Sequence, residues 1–135
     1  MTDIEIRPVR PEELHAVAGL RWQWFQENQG TPAVVRDVFV RTFATWAAEN
    51  AGSHRCTVML RGDALIGMAW LAIVRGVPTP LAPRRASGDI QCVYVVPEER
   101  NGGLGGRLID VVLALGRSLG LERITVHSSE RAIPA

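Results

Sequence analysis

The sequence contains no lysine: its fifteen basic side chains are all arginines, set against fourteen acids over 135 residues. That absence removes the phosphate loop G-x-x-x-x-G-K-[ST], whose lysine reaches the terminal phosphates of a nucleotide. Cysteine is scarce as well. Cys56 and Cys92 each lie inside an apolar run, which offers neither a disulfide framework nor a zinc knuckle and fits a reducing cytoplasm. His15, His54 and His127 lack the spacing of metal ligands, so no metal is expected. No apolar stretch approaches the roughly 20 residues that cross a bilayer, because Arg75 and the prolines interrupt the longest one. The first residues also lack the basic start and apolar core of a secretory leader. With charges dispersed and a net value of +1, neither a nucleic acid nor an anionic membrane is expected as the main partner.

What remains is a chain with 47% hydrophobic residues, long enough for one domain, 1–135, with a core of its own. Ile4 and Ile6 alternate with charged residues as in a short edge strand. Pro11-Glu12-Glu13 then opens a helix, since proline is tolerated in a first turn and acids suit its positive end. Leu14, Val17, Ala18 and Trp24 recur at helical spacing until Gly30. Thr31-Pro32 predicts a second helix carrying Val35, Val38, Phe39, Phe43, Trp46 and Ala47 on one stripe. Trp24, Trp46 and Trp70 read as core. Cys56–Leu60 and Ala64–Val74 read as strands joined by an Arg61-Gly62-Asp63 hairpin turn. A proline-rich connection, Gly76 to Gly88, leads to a strand over Asp89–Val96, with Gln91, Val93 and Val95 alternating against Cys92, Tyr94 and Val96. Leu104, Leu108, Val111, Val112, Leu115 and Leu119 make the stripe of a third helix, and Glu122–His127 a last strand. The order is β-α-α-β-β-β-α-β, an α/β fold with a mixed sheet.

Between that strand and the third helix stands Arg100-Asn101-Gly102-Gly103-Leu104-Gly105-Gly106. Glycines at a strand-to-helix turn let the backbone approach a ligand closely, and the first amides of the helix point outward without partners. Such a turn attracts a diphosphate. The dinucleotide fingerprint G-x-G-x-x-G fails here, because counting from Gly103 and Gly105 its third glycine falls on Leu108.

The residues spell Arg-x-x-Gly-x-Gly from Arg100 through Gly103 to Gly105, after Val93-Tyr94-Val95-Val96-Pro97-Glu98-Glu99. This resembles motif A of the GNAT superfamily of acyl-CoA-dependent N-acetyltransferases, a strand ending apolar-Tyr-Val-x-Pro-x-x before [Arg/Gln]-x-x-Gly-x-[Gly/Ala]. The order of elements resembles that family from residue 4 to 133. The resemblance implies acetyl-CoA as cosubstrate, with its diphosphate on the amides of Asn101, Gly102, Gly103, Leu104, Gly105 and Gly106 and added charge from Arg100. It also implies that Val93, Tyr94 and Val95 offer main-chain groups to the pantetheine arm, as an added strand would use them.

The same resemblance implies a base. Some members carry a glutamate four residues before the apolar-Tyr-Val triplet, and that register falls on Asp89; a turn aspartate after Ser87-Gly88 is the alternative. Others carry it on the fifth strand, where Ile124 stands here and His127 is the substitute candidate. Ser129 occupies the position of a family asparagine that belongs to the cofactor site, and the segment that supplies the usual tyrosine acid would follow Ala135. The fold is therefore expected to lack the family's C-terminal helix and strands. An uncovered fifth strand would favour a homodimer.

The aromatic stretch Trp22 to Phe25 ends the first helix, where the family's acceptor cleft lies. Arg84-Arg85 offers charge for an acidic acceptor or for the adenosine 3′-phosphate, or is a solvated loop. The acceptor is a small-molecule or peptide amine, unidentified by any residue. A CoA-binding module without turnover and a nucleotide-binding domain using the same turn are the competing readings.

Overall fold

The computed structural model describes residues 3–126. Its five strands lie in one sheet in the order β1-β2-β3-β4-β5, which is also their order in the chain. Strand β1 (Ile4–Pro8) is followed by a short 3-10 turn at Pro11–Glu13 and by helices α1 (Leu14–Glu27) and α2 (Arg36–Glu49). Then come β2 (His54–Arg61), β3 (Ala64–Arg75), β4 (Ala86–Val95), α3 (Leu104–Ser118) and β5 (Ile124–Val126). The first four strands pair antiparallel. Only β4 and β5 run parallel, as expected for two strands joined through a helix. Among the described residues no helix is long and apolar enough to cross a membrane.

Helices cover both faces of the sheet. Trp70 on β3 packs edge-on against Phe43 of α2, with ring centroids 5.6 Å apart, and Tyr94 on β4 stacks on Trp24 of α1 at 5.7 Å. On the other face Leu104, Leu108 and Val112 bury one side of α3, with Leu71 and Ile90 also in the core. The hairpin turn falls on Gly62-Asp63, with Gly62 at φ +61°.

Three expectations need correction. Helix α2 begins at Arg36, not at Thr31-Pro32, because Val35 is extended at φ −76°, ψ 160° and serves as its N-cap. Val35 and Val38 are accordingly exposed rather than core. Trp46 stays 38% exposed, sharing ring contacts with Phe43, Trp70 and His54 at the margin of the core. Finally, strict alternation along β4 fails at Cys92, whose φ is +54°. Trp70 pairs with Gln91 and Met68 with Tyr94, so Cys92 and Val93 together face Ala69 in a β-bulge. Partners directly opposite in an antiparallel pair share a face. Asp89, Gln91 and Tyr94, opposite Ala72, Trp70 and Met68, therefore all face α1 and α2.

Candidate functional site

After Val95 the chain makes a 3-10 turn at Pro97–Glu99 and reaches α3 through four residues. Asn101 at φ +67° and Gly103 at φ +79° are both left-handed, a combination that turns successive amides toward one side. Gly103 is the N-cap and supplies no side-chain acceptor. The first i to i−4 bond runs from the Arg107 amide to the Gly103 carbonyl at 3.2 Å. The amides of Leu104, Gly105 and Gly106 therefore precede any intrahelical acceptor, at the positive end of the helix dipole. A Cβ added at Gly102, Gly103 or Gly106 would crowd no other part of the protein, so the space in front of the turn is open.

Arg100 is engaged within the chain. Its Nε donates to the Val95 carbonyl at 2.7 Å, and its Nη2 to Glu27 Oε1 on α1 at 2.8 Å. Glu27 Oε2 accepts a hydrogen bond from the Tyr94 hydroxyl. The guanidinium also lies 5.2 Å from the Tyr94 ring. Burial, with the Glu27 carboxylate next in importance, pushes the Tyr94 phenol well above its ordinary value and keeps it protonated. Glu27 thus ties the end of α1 both to β4 and to the loop before α3. Sequence reading missed this residue; its only local signal was a carboxylate beside the aromatics that close α1.

The edge of β4 beside this loop is unpaired among the described residues. Among the described residues β5 pairs with it only over Gly88–Ile90. The Val96 amide donates to Ile66 on β3 at 2.9 Å. Because the peptide is trans, the Val95 carbonyl points the opposite way, toward that edge, where Arg100 occupies it. Of the main-chain groups of Val93, Tyr94 and Val95, that carbonyl is already engaged within the chain.

Asp89 sits three residues before the bulge, half-buried on the α1 and α2 face. Thr125 Oγ1 on β5 donates to Oδ1 at 2.7 Å, and Gln91 Nε2 donates to Oδ2 at 2.8 Å. It is a strand residue, not a turn residue. His127 and Ser129 lie outside the described residues. Arg85 is engaged elsewhere: it pairs with Glu122 at 3.0 Å and its side chain lies against Gly76. Burial pushes both cysteine thiols upward, Cys56 the further, which suits neither to nucleophilic attack.

Solved structures that share this fold include several acetyltransferases. A predicted acetyltransferase from Clostridium acetobutylicum, solved with acetyl-CoA, matches 96% of this chain and 84% of its own, with TM-score 0.75 and 16% identity. A GCN5-related N-acetyltransferase from Ralstonia eutropha is 27% identical, with TM-score 0.74 over 95% of this chain and 85% of that one. A ribosomal-protein-alanine N-acetyltransferase from Brucella melitensis matches 94% and 82% at TM-score 0.73 and 16% identity. No curated protein matched the sequence. The family model for the acetyltransferase (GNAT) family matches residues 14–135, a span that takes in both helices of one face, the bulged strand and the glycine turn. The chain is a member of that family.

Proposed function

We propose that the protein transfers acetyl from acetyl-CoA to a primary amine by direct attack within a ternary complex. The observation that carries this reading is the open turn at residues 101–106, an uncapped helix start whose glycines face space that no side chain fills. The diphosphate would lie on these amides, and the pantetheine arm along the free edge of β4. The Arg100–Glu27 pair favours a role for Arg100 in shaping the loop over a direct phosphate contact.

In the reaction the amine nitrogen attacks the thioester carbonyl. A C–N bond forms, the C–S bond breaks, and CoA leaves as a thiolate that takes up a proton. The amine must first lose one. A lysine-like amine with pKa ~10.4 is neutral in only about one part in a thousand at pH 7.4, so a base is worth up to about three orders of magnitude. Asp89 is the proposed base, acting directly or through a water, with His127 as the second candidate. Asp89→Asn should lower kcat/KM about a hundredfold near neutral pH and recover part of it in alkaline buffer, where more free amine exists. A pH–rate profile matching the parent's would remove Asp89 from the chemistry.

One observation favours a second reading, a CoA-binding module with little turnover. The single tyrosine in the sequence, Tyr94, is fully buried and bonded to Glu27, so it is not placed to protonate a leaving thiolate. Thiol release measured over a panel of amines, beside thermal shift with acetyl-CoA, separates the two: a shift without release supports the binding module. Homodimerisation through β5, which pairs only with β4 among the described residues, is part of the same proposal, and light scattering over a dilution series tests it.

A further inference from the structure

Residues of α1, α2 and their connection line a recess that includes none of residues 93–106. Trp22, Phe25, Phe39, Pro32 and Val34 line a cavity of about 210 Å³, and Arg21 forms part of its wall. Trp22 is the hub of its rings, 6.3 Å from Phe25 and 5.8 Å from Phe39. Such a volume lies below the roughly 300–1,000 Å³ of pockets for drug-sized ligands. It suits one side chain: a branched aliphatic group or a single aromatic ring. Gly30 holds the connection tightly against it, since a Cβ there would lie 2.5 Å from the Phe25 ring.

Arg21 links this recess to the bulged strand. Its guanidinium stacks 4.8 Å over the Trp24 ring, and Trp24 in turn stacks on Tyr94 of β4. It forms no ion pair with any described residue. Its charge reaches Cys92 in the bulge, where it partly offsets the upward effect of burial on that thiol. A cation without a carboxylate partner among the described residues, between an apolar recess and the strand edge proposed for the pantetheine arm, has the charge to orient an anionic acceptor. An α-amino acid has the matching groups in the matching order: apolar side chain, carboxylate, and an amine one carbon away.

We propose that the acetyl acceptor is a free α-amino acid with an apolar side chain, held with that side chain in the Trp22–Phe25–Phe39 recess and its carboxylate on Arg21. This rests on the acetyl-transfer reading above, and binding is therefore measured apart from turnover. Quenching of tryptophan fluorescence by phenylalanine, with CoA present, should saturate at a concentration at least tenfold lower than with phenylalaninamide or glycine. Arg21→Gln should abolish the preference for phenylalanine over its amide, and Phe39→Ala should weaken both. In thiol-release assays phenylalanine or leucine should exceed phenylalaninamide at least tenfold in kcat/KM. Equal binding of acid and amide, an unchanged preference in Arg21→Gln, or saturation by glycine as readily as by phenylalanine would overturn the proposal. If other amines release thiol while apolar amino acids neither bind nor react, this acceptor is wrong and acetyl transfer stands. If phenylalanine binds with the stated preference and no amine releases thiol, the site stands and the transfer reading falls.

Discussion

Gly102, Gly103 and Gly106 at the start of α3, and Gly88 and Gly116 near its far end, are the same residue in opposite surroundings. A Cβ at the first three would enter empty space. At Gly88 it would lie 2.7 Å from Leu121 and 2.9 Å from Leu71, and at Gly116 it would overlap the Ile124 side chain. In the second group glycine is there because other side chains take the volume: α3, β4 and β5 close on one another through Leu121 and Ile124. In the first group no side chain takes it: Gly103 carries the left-handed φ of the turn, while Gly102 and Gly106 have neither crowding nor a positive φ to explain them, and on the acetyl-transfer reading they keep the backbone open to a ligand. One helix thus carries a packing constraint at its C-terminal end and, in the function proposed above, a ligand constraint at its N-terminal end.

The sharpest way to break this comparison is Gly106→Val. The position is exposed, its Cβ has room, and Gly103 rather than Gly106 carries the left-handed φ of the turn. The variant should melt within a few degrees of the parent and lose acetyl-CoA affinity at least a hundredfold, about 2.7 kcal/mol. Gly103→Val would crowd the same turn but strain the backbone too, at φ +79°, so its effect would mix binding with folding. Titration calorimetry beside thermal melting reads both quantities. Full affinity in a folded Gly106→Val protein would mean that the turn does not hold the diphosphate.

Gly116→Val should do the reverse. Crowding Ile124 and Leu121 costs about 1–3 kcal/mol, set against a few tenths gained from replacing glycine in a helix. The melting temperature should fall by several degrees. Acetyl-CoA affinity of the folded protein should stay within about threefold of the parent's, since the turn lies at the other end of α3. Gly116→Ala should cost less, because the end of the flexible Ile124 side chain can rotate away.

The order of elements and the glycine turn were legible in the sequence because both are written locally. The helical period of Leu104, Leu108 and Val112, all buried, and the glycine cluster each need only neighbouring residues. The bulge was not legible. No glycine marks Cys92, and its positive φ follows from pairing with β3, which shifts register between Met68 and Trp70. Alternation therefore assigned Tyr94 to the face opposite Asp89, whereas the two share one. Glu27 was invisible for a similar reason, since its partners Tyr94 and Arg100 lie 67 and 73 residues away. The start of α2 was misread because proline signals a first turn, while Val34 and Val35, β-branched and exposed, continue the irregular connection instead.

The smallest effect concerns acid, and it extends the comparison from volume to charge. Away from the glycine turn, the Glu13 carboxylate accepts two bonds from Arg7, at 2.9 and 2.7 Å, and one from the Arg10 amide at 2.8 Å. The Arg7 guanidinium, opposed by desolvation and helped by the Arg10 amide, lowers the Glu13 carboxyl from 4.5 to about 2. A carboxyl whose folded value is depressed stabilises the fold at pH above its unfolded value, and that contribution is lost as pH falls through the folded one. Melting temperature should therefore hold its Glu13 contribution above pH ~5 and lose it progressively toward pH ~2. In Glu13→Gln the melting temperature at neutral pH should be slightly lower, and its decline through that window shallower than the parent's. Acetyl-CoA affinity at neutral pH should be unchanged, because this ion pair anchors β1 to the turn before α1, and no bond of Glu13 reaches residues 101–106. Equal acid slopes for parent and variant would show that Glu13 contributes nothing to acid stability. A variant that also lost acetyl-CoA affinity would show that packing and binding are not separable in this fold.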